Sequence, residues 1–544
     1  MAEPEPVAPG GTAGGPAAAG PPWPVRARAG AVAPVLVLAV ASLWWPDNWD
    51  NALFVAGARQ LDRGGEYYRD VWDIKQPGIY WFHQLGGLLE PSGLGARVME
   101  AALAVLAAWL VTVVVAGWPL RGWVRAVSPS LVVGPALWWS FRGGIGQVES
   151  LMVVSLLIVL AATTRGTGGR RSSVPSWFLA GTATGWVGVM KLLYLPLPLL
   201  LVVLALAAMG RRGRARPTGS AVAAVVGRAV AVLAGMMLPL GLFAGYLARQ
   251  HLFGIAWWTS VTLPPQVLTV VTPWHSAGER AELVRSTVAL FVVTGPLALL
   301  ALGTARRRRG VPERTLALAA VLALVLTVPQ LWTPYRYLTP TVPVGLLAVA
   351  GLQQLRDWWV ARARRSRVGD VLALVLGSVL VLLPAQPAVS LVLTADRHPW
   401  GLDPRSRVAR GTVATYGDPQ AALDAAAVVA GQVRPDEPVY VLGDPSVLHV
   451  LQARPGAEVM GWSLEVLPPL VVDEAARELA RSRPRWVFVH DIYQPDGVQA
   501  RVGAPFQPVL ARYYRVYATG AHGTWYVTDQ VGVPPPDADG VRLP

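Results

Sequence analysis

Asp47-Asn-Trp-Asp50-Asn-Ala-Leu-Phe-Val-Ala-Gly-Ala-Arg59-Gln-Leu-Asp62-Arg63-Gly64-Gly65-Glu66-Tyr67-Tyr68-Arg69-Asp70-Val-Trp-Asp73-Ile-Lys75-Gln-Pro77-Gly78-Ile-Tyr80-Trp81 is a long polar stretch set between two apolar runs. Its borders decide the fold. Ala29–Trp45 precedes it and a second apolar run, 96–117, follows it. An α-helix needs ~20 apolar residues to cross the hydrocarbon core of a bilayer. The stretch from 46 to 95 is therefore expected as a loop outside the bilayer, between a first and a second span. Within it Leu53, Ala56, Gly57 and Gln60/Leu61 recur at helical spacing, which suits an amphipathic helix along the membrane surface with Asp50 at its start. Arg59 and Arg63 then fall on its solvated face. Gly64-Gly65 ends that helix, and Pro77 breaks the chain again before it re-enters the bilayer.

Further apolar runs lie near 127–141, 150–164, 175–190, 192–209, 220–246, 284–304, 315–331, 337–354 and 369–394, which predicts about eleven spans. Arg26 and Arg28 precede the first, and no small-residue cleavage site follows it, so the N-terminus is expected in the cytoplasm on an uncleaved span. The even-numbered loops carry Arg121 and Arg125; Arg165, Arg170 and Arg171; Arg211, Arg212, Arg214 and Arg216; Arg306 to Arg309; and Arg356, Arg362, Arg364, Arg365 and Arg367. That is the positive-inside pattern. An odd count places the C-terminal region outside the cell.

Composition agrees. Of 544 residues, 53% are hydrophobic and 15% charged, well below the ~25% charged of soluble domains, which excludes a wholly soluble enzyme. The formal net charge of +14 comes from arginine clusters between apolar runs, so nucleic acid is excluded as a partner. The absence of cysteine excludes disulfides, thiolate metal sites and cysteine nucleophiles. Residues 1–29, mostly Ala, Gly and Pro, lack the apolar content for a core and are expected to be disordered. From about Ala395 the pattern changes. Pro438–Leu442 and Arg485–Val489 read as short buried strands, with a helical pattern over Val472–Arg483 between them. The expected organisation is a polytopic α-helical membrane domain, 30–394, followed by a small extracytoplasmic α/β domain, 395–544.

The chemistry is expected in the first outer loop. An Asp before a helix reads most simply as an N-cap. Here, however, Asp47, Asp50, Asp70 and Asp73 share one interfacial loop with Arg59, Arg63, Arg69 and Lys75. A carboxylate among cations at a bilayer surface suits a base working beside an anionic lipid headgroup.

The order of motifs resembles the GT-C glycosyltransferases, in particular the bacterial branch of protein O-mannosyltransferases and the lipid A aminoarabinose transferase. It consists of an Asp after the first span, a short helix, Gly-Gly, and then Tyr-Arg-Asp-x-Trp-Asp-x-Lys-x-Pro-Gly-x-Tyr. Arg142-Gly-Gly-Ile-Gly-Gln147-Val-Glu149-Ser150 resembles the family's second outer loop. Gly181-x-x-x-Gly185-x-x-x-x-x-Lys191 resembles its glycine-rich span ending in an outward lysine, and Tyr335-Arg336-Tyr337-Leu338-x-Pro340-x-x-Pro343 its late proline-containing motif.

The resemblance implies a GT-C-like fold and transfer of a sugar from a polyprenyl-phosphate donor to a hydroxyl acceptor on the outer face of the cell membrane. The acceptor would be a cell-envelope glycan, a lipid or a secreted protein. It implies Asp50 as the catalytic base, Lys75, Lys191 and Arg336 near the donor phosphate, and Asp47, Asp73, Gln147, Glu149 and Tyr337 as further polar residues of the site. Direct displacement would invert the anomeric centre. Lys191 reads equally as a snorkelling residue, whereas an outward Arg336 is costly without a partner. The chain departs from the family at Asn51, where many members carry an acid, and at Ile74, where the aminoarabinose transferase has a carboxylate associated with its metal. No residue is assigned as a metal ligand and no cofactor is required, which leaves room for a divalent metal. The rival reading is a flippase or transporter of lipid-linked sugars, which would be expected to show repeats and mid-bilayer ionisable residues.

Overall fold

The computed structural model describes residues 23–43, 49–139, 146–167, 173–214, 219–271, 281, 284–285, 288, 290–304, 312–328, 334–362 and 419–530. Four expectations fall outside them: disorder over most of 1–29, the placement of Asp47, the last apolar run at 369–394, and the boundary near 395.

The apolar runs become helices. They are α1 (Val25–Ser42), α4 (Leu94–Val114), α5 (Trp123–Trp139), α6 (Val148–Thr167), α7 (Val174–Met190), α8 (Pro196–Arg214), α9 (Gly219–Gln250), α12 (Thr294–Thr304), α13 (Glu313–Thr327) and α14 (Leu338–Arg362). The first loop adds α2 (Trp49–Asp62) and α3 (Gly78–Leu89), and a later one adds α10 (Phe253–Trp257) and α11 (Leu263–Val271). Among the described residues five helices are long and apolar enough to cross a membrane: Val25–Ser42, Leu94–Gly117, Leu192–Arg211, Val222–Gln250 and Leu338–Arg362. This corrects the expectation of about eleven. The apolar runs are real, but several of the helices they form lie at or below the lower limit of length for a span. α5 and α7 have 17 residues each, α13 has 15 and α12 has 11.

Two features hold the bundle together. Every residue from Leu338 to Gln354 of α14 is buried, so this helix forms the axis against which α5, α6, α12 and α13 pack. Its cover comes from packing and not from composition, since the more apolar α9 is only 28% buried against 89% for α14. α7 and α9 meet through glycines: a Cβ added at Gly181 or Gly185 would overlap the Val232 or Met236 carbonyl, and one at Gly235 would overlap that of Phe178. Small residues at such a seam let two backbones approach closely.

The C-terminal region folds as α15 (Pro419–Val428), β1 (Pro438–Leu442), α16 (Ser446–Leu451), β2 (Arg454–Pro455), α17 (Pro469–Ser482) and β3 (Trp486–His490). Two short helices follow, α18 (Ala500–Gly503) and α19 (Gln507–Tyr513), then the hairpin β4 (Arg515–Gly520) and β5 (Gly523–Val527). The sheet order is β2-β1-β3-β5-β4. β1 is parallel to both neighbours, and β5 is antiparallel to β3 and β4. Side chains alternate across it. Val439, Val441, Trp486 and Phe488 pack under α15 and α16, while Tyr440, Leu442, Val487 and Val489 face α17 and α19.

One core runs from that second face into the first loop, joining Leu53, Phe54, Tyr67, Trp72 and Tyr80 to Tyr440, Leu442 and Val459. The Trp72 amide donates to the Glu458 carbonyl at 3.0 Å. Covered in this way, α2 is buried from Asn51 through Ala58, and the expected surface helix is instead an interior one. Its arginines keep the solvent side, as expected: Arg59 donates to the Pro91 carbonyl at 3.2 Å, and the exposed Arg63 pairs with Asp436.

Candidate active site

Asp50 lies in the first turn of α2, where the positive end of the helix dipole favours a carboxylate. Its side-chain oxygens meet residues remote in the chain. Oδ2 accepts from Gln147 Nε2 at 2.8 Å, Oδ1 accepts from the Trp462 indole at 3.2 Å, and Lys75 Nζ stands 3.7 Å from Oδ1. Lys75 is shared, because Asp73 Oδ2 is also 3.7 Å from its ammonium. Asp73 is steadied in turn by the Tyr80 hydroxyl, which donates to it at 2.9 Å. The Lys75 ammonium lies 4.8 Å from the Phe54 ring centroid, and its carbonyl accepts from Tyr67 at 2.6 Å. The three charged side chains keep only 11–20% of their surface exposed, so their charges are partly shielded from solvent.

Gln147 reaches Asp50 because of the turn before it. Gly146 has φ +66° and its amide donates to both Glu100 oxygens, at 2.9 and 3.0 Å. A side chain at Gly146 would also overlap Asn51. Glu100 accepts from Ser150 at 2.8 Å as well, which pins the start of α6.

A second cluster lies alongside. Lys191 follows α7 in extended backbone and donates to the buried Glu149 at 2.6 Å. Its ammonium is 5.2 Å from the Tyr194 ring centroid. The Tyr194 hydroxyl lies 3.3 Å from that of Thr327 and 3.4 Å from the Arg336 carbonyl. Gln147 and Glu149, two residues apart at the start of α6, set the two clusters side by side.

The structure thus gathers Asp50, Asp73, Lys75 and Gln147 in one group, and Glu149, Lys191 and Arg336 in another. Tyr337, next to Arg336, is buried and packs into the core of the helical bundle. Sequence reading missed Trp462, Trp49, Tyr80, Tyr194 and Asp444. Tyr80 stood in the quoted motif and had a signal. Trp462 follows Asp50 by 412 positions and carried none.

Asp50 and Asp73 flank one lysine instead of converging with a third acid or a histidine. Among the described residues no three such side chains form a metal-ligating set.

No family model matches the chain, and no curated protein does. Among solved structures, the crystal structure of ArnT from Cupriavidus metallidurans bound to undecaprenyl phosphate matches with a TM-score of 0.56 and 16% identity, covering 94% of this chain and 98% of that one. This chain has a GT-C-like fold. A likeness of that extent takes in the C-terminal α/β domain together with the helices, so the GT-C-like fold describes a multi-pass membrane protein with its extramembrane domain.

Proposed function

We propose that the protein is an inverting membrane glycosyltransferase that moves a sugar from a polyprenyl-phosphate donor to a hydroxyl acceptor on the outer face of the membrane. One observation carries the reading: a carboxylate, Asp50, is held between Gln147, Lys75 and an indole in a half-buried site. Asp50 takes the acceptor hydroxyl's proton as that oxygen attacks the anomeric carbon. The bond from that carbon to the phosphate oxygen breaks, and its electron pair leaves with the lipid phosphate. Such a leaving group needs charge stabilisation more than protonation, and Lys75, Lys191 and Arg336 are the cations at hand. Lys75 Nζ stands 3.7 Å from an oxygen of each carboxylate, a cation held between Asp50 and Asp73 at the mouth of the site. The GT-C-like fold, shared with a protein solved with undecaprenyl phosphate, supports the donor class.

The test is sugar transfer by the purified protein in lipid, with a panel of labelled polyprenyl-phosphate sugars and membrane-fraction acceptors, beside Asp50→Asn. Transfer by the wild type that the variant loses is the expected result. A variant with full activity removes Asp50 as the base. Lipid-linked sugar crossing the bilayer without transfer replaces the enzyme with a flippase.

A further inference from the structure

The C-terminal domain touches the site through two indoles. Trp462, from the segment after β2, donates to Asp50 of α2 at 3.2 Å. Trp49, the neighbour of Asp50 in α2, faces Asp444, which follows β1, closely enough for its side chain to favour the ionised carboxyl. Each element therefore sets an indole against the other's carboxylate, and the two rings meet edge to face with centroids 4.9 Å apart.

The domain is built to deliver Trp462 there. The Gly443 amide donates to the Gly461 carbonyl at 2.9 Å, and a Cβ at Gly461 would overlap the Val441 carbonyl. Only glycine lets this segment lie against the end of β1, and Trp462 is the next residue. Asp444 is buried and accepts from the Ser446 amide at 2.7 Å, so Trp49 meets a fixed partner. An indole N–H donates and never accepts, so Trp462 orients Asp50 without competing for a proton.

We propose that the C-terminal domain completes the active site, with Trp462 as a positioning residue that fixes the Asp50 carboxylate through a reciprocal exchange of indole–carboxylate contacts with Trp49 and Asp444. This rests on the reading of Asp50 as the base.

Trp462→Phe keeps a ring against Trp49 and removes the N–H. Its kcat is expected to fall about tenfold to a hundredfold, with KM for the lipid donor within twofold of wild type. The acid limb of its pH–rate profile moves to higher pH, because a donor to the ionised carboxylate is lost. Trp525→Phe removes another buried indole bond of the domain, 2.7 Å to the Ala425 carbonyl, and lowers thermal stability without moving that limb. Unchanged kcat and pH profile in Trp462→Phe, in a protein whose Asp50→Asn variant is dead, overturn the proposal and leave the enzyme reading standing. No transfer by the wild type with any donor overturns that reading and this proposal together. If Trp462→Phe does not fold, Trp49→Phe decides: a severalfold lower kcat supports the exchange, and wild-type kcat overturns it.

Discussion

At the scale of residues, the two clusters differ in what each side chain can lose. General-base assistance contributes roughly 10²–10⁴-fold, so Asp50→Asn is expected to lower the transfer rate by about that factor while the protein stays folded. Stopped assays with radiolabelled donor check it. Lys191 answers to a different physics. Its partner Glu149 is buried, with 2% of its side chain exposed, so Lys191→Met leaves an uncompensated acid inside. Breaking such a pair costs about 3–5 kcal/mol. The thermal midpoint of Lys191→Met should drop clearly, and the double variant Lys191→Met/Glu149→Gln should recover much of the loss. An equal midpoint in single and double variants contradicts the pairing.

At the scale of elements, the glycine seam between α7 and α9 is a packing device. Gly181→Leu has no room, since even a Cβ overlaps the Val232 carbonyl, and it is expected to force the helices apart and lower the thermal midpoint in detergent. Gly227, inside α9 where an added Cβ meets nothing within 4 Å, provides the control: Gly227→Ala should hold or raise the midpoint. The seam also carries Lys191, which sits at the end of α7, so the same substitution should lower activity through a displaced cation. The motif Gly181-x-x-x-Gly185 was legible as a pattern. Its partner helix was not, because spacing along one helix says which face is flat and not what lies against it.

At the scale of the whole molecule, the outer domain and the first loop share one core, and their charges meet there. Glu458 stands at that junction. Burial first, and then Glu478, Asp70 and Glu474, push its carboxyl from an ordinary value near 4.5 up to about 8, against the pull of Arg481. Burial likewise raises Asp444 from 3.8 to about 6. Both groups hold their protons more tightly when folded, so the native state binds more protons than the unfolded one between those values. Stability conferred by the domain contact therefore falls as pH rises from about 4.5 to about 8. Thermal midpoints measured across that range should decline, and Glu458→Gln should flatten the decline. A midpoint that rises with pH contradicts the assignment. Because Glu458 is partly exposed, solvent screening makes the slope modest.

Hydropathy and arginine placement by themselves determined a multi-pass membrane protein with an α/β domain at its C-terminus. These are properties of runs, and burying a run in lipid or in a sheet depends on its own composition. Asp50, Lys75 and Asp73 stood out as candidates for the same reason, lying within one loop whose charges are unusual for their setting. The number of membrane-crossing helices was not readable, since an apolar run does not show where its helix stops. Nor was the burial of α2: its apolar stripe fits a membrane surface as well as a protein roof, and only the docked outer domain chooses between them. Trp462 was beyond reach altogether. A hydrogen bond across 412 positions leaves no periodicity in the chain; it exists because the glycine at 461 lets one segment lie flat on the end of a strand. Tertiary structure alone decided that Asp50 is held from two sides, by the helical bundle through Gln147 and by the outer domain through an indole.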